Sequence, residues 1–227
     1  MLPRSAQVIK NSKENRFVAA LFVGIGVAGG LFSLSACTAR TRSVEVVYRD
    51  AEPAWREGDV VFRDGLGVES RAVVITSHGR YSHVGLLHRD SASEQWQVVH
   101  AVPGEDEPEY IKAEPVAMFF DSYRAQAGAW ARIDCSDSVA AAAVRYALNK
   151  VAEHVLFDND YLLEDTAQLY CTELIWRSYL SQGIDVSGGQ RHGVLTLFSN
   201  EGECIFPDNI EKSSTTLFVK PLKTKEL

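Results

Sequence analysis

From Trp55 onward the chain alternates polar turns with short apolar runs. Arg56-Glu57-Gly58-Asp59 followed by Val60-Val61-Phe62 reads as a turn feeding a short strand. Ala72 to Thr76 is apolar but short, and its pattern fits either a strand or a short helix. His83 to His88 and Gln95 to Val102 are rich in Val and Leu, and the polar stretch Arg89 to Glu94 between them is long enough for a hairpin loop. They are expected to form an antiparallel pair. Pro115 before Val116-Ala117-Met118-Phe119-Phe120 predicts a helix start, running to about Ala125, and Ala129 to Ile133 then reads as a strand. Ser136-Asp137-Ser138 ahead of an alanine-rich stretch to His154 has both the cap and the composition of a helix. An acidic segment, Asp158 to Asp165, leads into a second helix from about Cys171 to Gln182. That helix places Leu174, Ile175, Ser178 and Tyr179 on one face and is stopped by Gly183. Past Gly188-Gly189, Thr215 to Val219 supplies a last strand. Strands first, then helices with a late strand, predict an α+β domain rather than alternating βαβ units.

Composition fits one globular domain: of 227 residues, 46% are hydrophobic and 23% charged, enough apolar surface for a real core. The first segment stands apart from it. Arg4, Lys10, Lys13 and Arg16 precede a nearly uncharged apolar run from Phe17 to Ala36, the layout of a secretory signal. The run ends in Leu34-Ser35-Ala36-Cys37, which resembles the bacterial lipobox, where cleavage before the cysteine is followed by attachment of a diacylglycerol to its sulfur. The expected organisation is a signal peptide over 1–36, a lipidated Cys37 with a tether to Asp50, and a folded domain over 51–227. An uncleaved signal anchor is the alternative, since the run is long enough to span a bilayer. Thr38 is not the aspartate that retains lipoproteins in the inner membrane of enteric bacteria. The expected location is therefore the cell envelope, at the periplasmic face of the outer membrane.

A formal net charge of −7 offers no basic stripe to neutralise phosphates, so a nucleic-acid partner is not expected. Export places the four cysteines in an oxidising compartment. With Cys37 lipidated and Cys171 kept for chemistry, Cys135 and Cys204 remain, either as a disulfide or as two buried thiols.

Cys171 opens a helix in Tyr170-Cys171-Thr172-Glu173-Leu174, and His83 opens a strand in Tyr81-Ser82-His83-Val84-Gly85. Free first-turn N–H groups favour a thiolate, and an imidazole within reach takes the thiol proton, so the two can form a cysteine-hydrolase centre. The bland alternatives are a packing cysteine and a strand-end histidine. His100, near the end of the partner run of the hairpin, would lie beside His83 and fix its tautomer, giving a Cys-His-His arrangement.

In this order, Gly58-Asp59-Val60-Val61-Phe62, Tyr81-Ser82-His83-Val84-Gly85, Val99-His100-Ala101-Val102 and Tyr170-Cys171-Thr172-Glu173-Leu174 resemble the circularly permuted papain-like hydrolases of the NlpC superfamily, most of all the YiiX/YebB-like branch. In that family the histidine precedes the cysteine, as here. The resemblance runs from about Trp55 to Val219 and includes Phe206-Pro207-Asp208. It implies a papain-like antiparallel sheet packed against helices, Cys171 as nucleophile, His83 as general base and acid, and His100 at the third polar position, where relatives commonly carry Glu. The backbone N–H of Cys171 would hold the oxyanion, with Tyr170 as a second donor. No cofactor is implied.

The substrate expected from this resemblance is an amide in a cell-wall peptide or another peptide. A lipid acyl ester handled by the same residues is the second reading, and a non-catalytic ligand-binding lipoprotein the third. His78, His83, His88 and His100 lie close in sequence, but their spacing matches neither an HExxH helix nor paired CxxC motifs, so no metal is expected. The absence of a Gly-x-Ser-x-Gly elbow and of a phosphate-binding loop removes the common serine-hydrolase and nucleotide-enzyme alternatives.

Overall fold

A computed structural model describes residues 44–103, 109–164, 166–195 and 201–227. The signal segment and Cys37 lie outside the described residues. In chain order the elements are β1 (Val44–Val47), β2 (Val60–Gly65), α1 (Val68–Ser77), β3 (His83–Arg89), β4 (Trp96–His100), β5 (Lys112–Pro115), α2 (Val116–Phe119) and β6 (Ala125–Ile133). They are followed by α3 (Asp137–Ala152), β7 (Leu156–Phe157), β8 (Gln168–Leu169), α4 (Cys171–Leu180), β9 (His192–Leu195), β10 (Glu201–Cys204), α5 (Pro207–Glu211), β11 (Thr216–Pro221) and β12 (Lys223–Glu226).

The run Val60-Val61-Phe62 lacks alternation because β2 is central. It pairs with β6 on one side and β3 on the other, and all three side chains are buried. The full sheet runs β11-β6-β2-β3-β4-β5, every neighbouring pair antiparallel, so the chain has the expected α+β architecture. One face packs Val84, Leu86 and Val99 against Val144 and Ala147 of α3 and Leu174 and Ile175 of α4. The other packs Val61, Leu87, Val98 and Trp130 against Val116, Phe119 and Phe120 around α2. Each strand thus sends alternate residues into two separate cores.

Several local features account for motifs read in the sequence. Gly58 has φ +81°, and a Cβ there would stand 2.8 Å from the Cβ of Ala140. Its carbonyl accepts the Tyr179 hydroxyl at 2.5 Å, tying α4 to the turn before β2. Asp59 accepts both Nε and Nη2 of Arg132 at 2.8 and 2.7 Å, which clamps that turn to β6. The Gly-Asp motif is therefore architectural. Ser136 caps α3 by accepting the N–H of Val139, as its sequence predicts.

The structure departs from the sequence reading in two places, the start of the folded unit and the length of the helix at Val116, and decides between open alternatives in two more. Val44–Val47 forms β1, paired with β12, and Val46 is buried against Phe120 and Trp130, so the folded unit begins before the expected Ala51. Ala72 to Thr76 belongs to a helix, α1, closed by His78 with φ 52°. The helix expected from Val116 to about Ala125 is only four residues long. Asp121 starts a turn whose side chain accepts the N–H of Tyr123, and Ala125 already opens β6. Cys135 and Cys204 are both free thiols, with Cys204 buried, which removes the disulfide alternative.

Candidate active site

The site gathers at the end of the sheet where β3 begins. Cys171 is the first residue of α4, after Tyr170 in extended conformation, so its own N–H is among the first-turn amides that a helix cannot satisfy internally. Its sulfur lies 3.7 Å from the Thr172 hydroxyl, and the backbone N–H groups of Val84 and Thr172 are near enough to favour the thiolate. The Val84 N–H belongs to the first peptide of β3, the one that follows His83. No hydrogen bond joins the Cys171 sulfur to His83 in this structure; the imidazole faces the α2 side, where it packs against Phe119 at 5.7 Å between ring centroids.

His83 Nε2 lies 2.8 Å from His100 Nδ1, with both rings buried. The register explains how they meet. Leu86 pairs with Val99, so the same register sets Gly85 opposite His100 and makes the two histidines diagonal neighbours on one face. A Cβ on Gly85 would fall 2.3 Å from Val98 Cγ1 and 3.2 Å from His100 Cβ. The glycine of the Ser-His-Val-Gly motif therefore clears the space through which His100 leans toward His83.

The sequence reading missed Glu114. His100 pairs with Lys112 across β4 and β5, and Glu114 sits two residues on, on the same face. Its Oε1 lies 3.1 Å from His100 Nε2, close but angled away from a straight hydrogen bond. Arg124 Nη1 donates to both carboxylate oxygens at 3.0 Å. Burial opposes the Glu114 carboxylate, but His100 and Arg124 beside it outweigh burial and hold its pKa down at about 2.

The other titratable groups are set by burial. Burial pushes the Cys171 thiol up, against the pull of Thr172, the Val84 N–H and Arg63. It pushes His83 well down, helped by the cations Arg63, Lys112 and Arg124 and by His100. His100 is also pushed down by burial, only partly offset by Glu114. The resting pair is therefore a neutral thiol and a neutral imidazole, not the lowered-pKa thiolate that a helix N-terminus alone would favour. Arg63 is buried beside this pair, donating to the Phe119 carbonyl at 2.9 Å with its guanidinium 4.8 Å from the Phe119 ring centre.

Tyr170 is placed differently from the oxyanion role expected for it. Its hydroxyl accepts the N–H of Ile205 at 2.8 Å and the ring is buried in the α3–α4 core. Glu173 is buried too, its Oε1 held by Arg177 Nε at 2.7 Å while its Oε2 has no hydrogen-bond partner among the described residues. Burial raises Glu173 to about 8. A second residue missed in the sequence is Tyr161, close enough to Cys171 to feel its charge and held at φ 56°, a conformation rare for an aromatic side chain. Asp158 holds the turn by accepting the N–H groups of Asp160 and Leu162, both at 2.8 Å.

Among the described residues, no three His, Cys, Asp or Glu side chains are grouped as metal ligands, and no helix is long and apolar enough to cross a membrane.

A permuted order of histidine and cysteine, on an antiparallel sheet with the cysteine at a helix start, defines a papain-like hydrolase class. The chain belongs to the permuted papain-like amidase family described as YaeF/YiiX, C92, whose profile matches residues 54–224. The fold is similar to the crystal structure of the metalloprotein yiiX from Escherichia coli O157:H7, with a TM-score of 0.59 at 16% identity, covering 76% of this chain and 98% of that one. No curated protein matches the chain.

Proposed function

We propose that this family member is a lipid-anchored amidase of the bacterial envelope that cleaves a cell-wall or other peptide amide, with Cys171 as nucleophile, His83 as general base and acid, and His100 orienting His83. The observation that carries the reading is the placement of Cys171 at the first position of α4, within a permuted papain-like fold whose His83 Nε2 is held 2.8 Å from His100 Nδ1. Because thiol and imidazole are both neutral at rest, the proton moves from sulfur to His83 Nδ1 as the C–S bond forms. The oxyanion is taken by the Cys171 N–H, with Tyr161 nearby. The protonated His83 then gives its proton to the leaving amine nitrogen as the C–N bond breaks. A water, deprotonated by the same imidazole, releases the acid and restores the thiol.

Cys37 serves as the lipidated N-terminus that holds the domain at the envelope, from the run of small residues before it. A lipid acyl ester is the second reading. It is favoured by Val68 and Ile75 on α1, 80% and 71% exposed, in a helix whose Glu69 reaches the surroundings of Tyr161. A product screen on peptidoglycan fragments and on acyl esters, with Cys171→Ala as control, decides between them. Release of a new amine supports the amidase, and release of fatty acid supports the second reading. Turnover by Cys171→Ala equal to wild type contradicts both.

A further inference from the structure

The relay behind the imidazole does not stop at His100. We propose that Glu114, clamped by Arg124, is a positioning residue that sets the tautomer of His100 and through it that of His83, leaving Nδ1 of His83 bare to act as the base. This rests on the Cys171–His83 reading and adds a member to it.

A neutral imidazole has one N–H and one acceptor nitrogen. The ionised Glu114 carboxylate can only accept, and Arg124 Nη1 occupies both its oxygens at 3.0 Å and keeps it ionised. Beside that carboxylate, His100 Nε2, 3.1 Å from Oε1 though off a straight line to it, is the nitrogen favoured to carry the proton, which leaves His100 Nδ1 as an acceptor. The 2.8 Å contact between the rings can in that case be donated only by His83 Nε2–H. His83 Nδ1, the nitrogen that His100 does not engage, is consequently unprotonated. Reversing either ring opposes two acceptors inside a buried site, which biases the equilibrium against it by at least about tenfold.

The groups facing this relay from every side preserve that state. Burial keeps both rings neutral, helped by the cations Arg63 on β2 and Lys112 on β5 and, at His83, by Arg124 before β6, and Lys112 Nζ also lies 3.6 Å from Glu114 Oε2. Cys171 on α4 supplies a thiol that is itself uncharged at rest. Three strands contribute one member each, His83 from β3, His100 from β4 and Glu114 from β5, and each step is a diagonal neighbour on the same face.

The test is ¹⁵N-histidine NMR of the full chain in detergent, together with the rate at which iodoacetamide alkylates Cys171 at pH 7, read by peptide mass mapping. Wild type is expected to show Nε2–H tautomers on both His83 and His100. In Glu114→Gln, Arg124 retains the amide oxygen and the amide NH2 faces His100. Both tautomers are then expected to invert, and alkylation to fall at least about tenfold, as when the acid of a serine-protease triad becomes an amide. An Nδ1–H tautomer on wild-type His83, or unchanged tautomers and rate in Glu114→Gln, overturns the proposal. If Glu114→Gln does not fold, the wild-type tautomers decide alone. Correct tautomers with no alkylation of wild-type Cys171 would instead contradict the hydrolase reading and leave the relay standing.

Discussion

Replacing Gly85 by alanine probes the packing that lets two histidines on neighbouring strands meet diagonally. The added Cβ would stand 2.3 Å from Val98 Cγ1, 3.2 Å from His100 Cβ and 3.2 Å from the Val99 carbonyl oxygen. The first contact can be relieved by turning Val98, but Val98 is fully buried and β-branched, so the rotation displaces its neighbours. The other two involve β4 itself, which must move by a few tenths of an ångström. Overpacking of this kind costs about 1–3 kcal/mol. Removing a glycine from a strand returns about 0.5–1 kcal/mol through the unfolded chain. The expected net loss is up to about 2.5 kcal/mol, read as a lower urea midpoint at unchanged m. The same displacement pushes His100 away from His83, so alkylation of Cys171 at pH 7 should slow as well. A Gly85→Ala protein with an equal or higher urea midpoint and wild-type alkylation would refute the reasoning.

Other outcomes follow from the buried charges and the clamps. Glu114 is held below its ordinary value of 4.5, at about 2, so it stabilises the fold above pH 4.5 and that contribution is lost as the pH falls toward 2. Acid titration of stability should therefore be shallower in Glu114→Gln over that window, by on the order of 1–3 kcal/mol. Glu173 is shifted the other way: raised from 4.5 to about 8, it binds a proton on folding, and stability falls as the pH rises between those values. Glu173→Gln should flatten the decline in Tm from pH 5 to 8, and an unchanged slope would contradict the assignment. Asp158→Ala leaves two loop amides without their acceptor and should cost about 2–3 kcal/mol in urea unfolding, with slower alkylation of Cys171 as Tyr161 loosens. Because Cys135 and Cys204 are free, dithiothreitol should leave Tm unchanged, and a drop would reveal a disulfide.

Much of this architecture could be read in the sequence because its signals are local. The hairpin of β3 and β4, the capped alanine-rich α3 and the amphipathic α4 each declare themselves through periodicity and end residues, and Leu174, Ile175, Ser178 and Tyr179 are all buried as their spacing predicts. His83 and His100 could be paired because both fall in one hairpin. Glu114 could not, because it stands in Tyr-Ile-Lys-Ala-Glu-Pro, a stretch that looks solvent-facing and whose proline reads as a helix start. Its place beside His100 depends on the pairing of β5 with β4 across a long connection. Tyr161 was hidden for a related reason, since its turn is held by Asp158, a residue that in sequence is one of several acids in a loop. The thiol pKa went the opposite way to the expectation because burial, which the sequence does not reveal at a helix start, outweighs the first-turn amides.

The central claim, a Cys171 nucleophile served by His83, is tested most directly by competitive labelling of the folded protein with iodoacetamide at pH 7, quantified by peptide mass mapping in wild type and His83→Ala. The account predicts that Cys171 labels well ahead of Cys135 and Cys204, whose thiols burial pushes up, and that His83→Ala slows Cys171 by at least about tenfold. Equal labelling of Cys171 in the two proteins, or labelling no faster than that of Cys135, would contradict it.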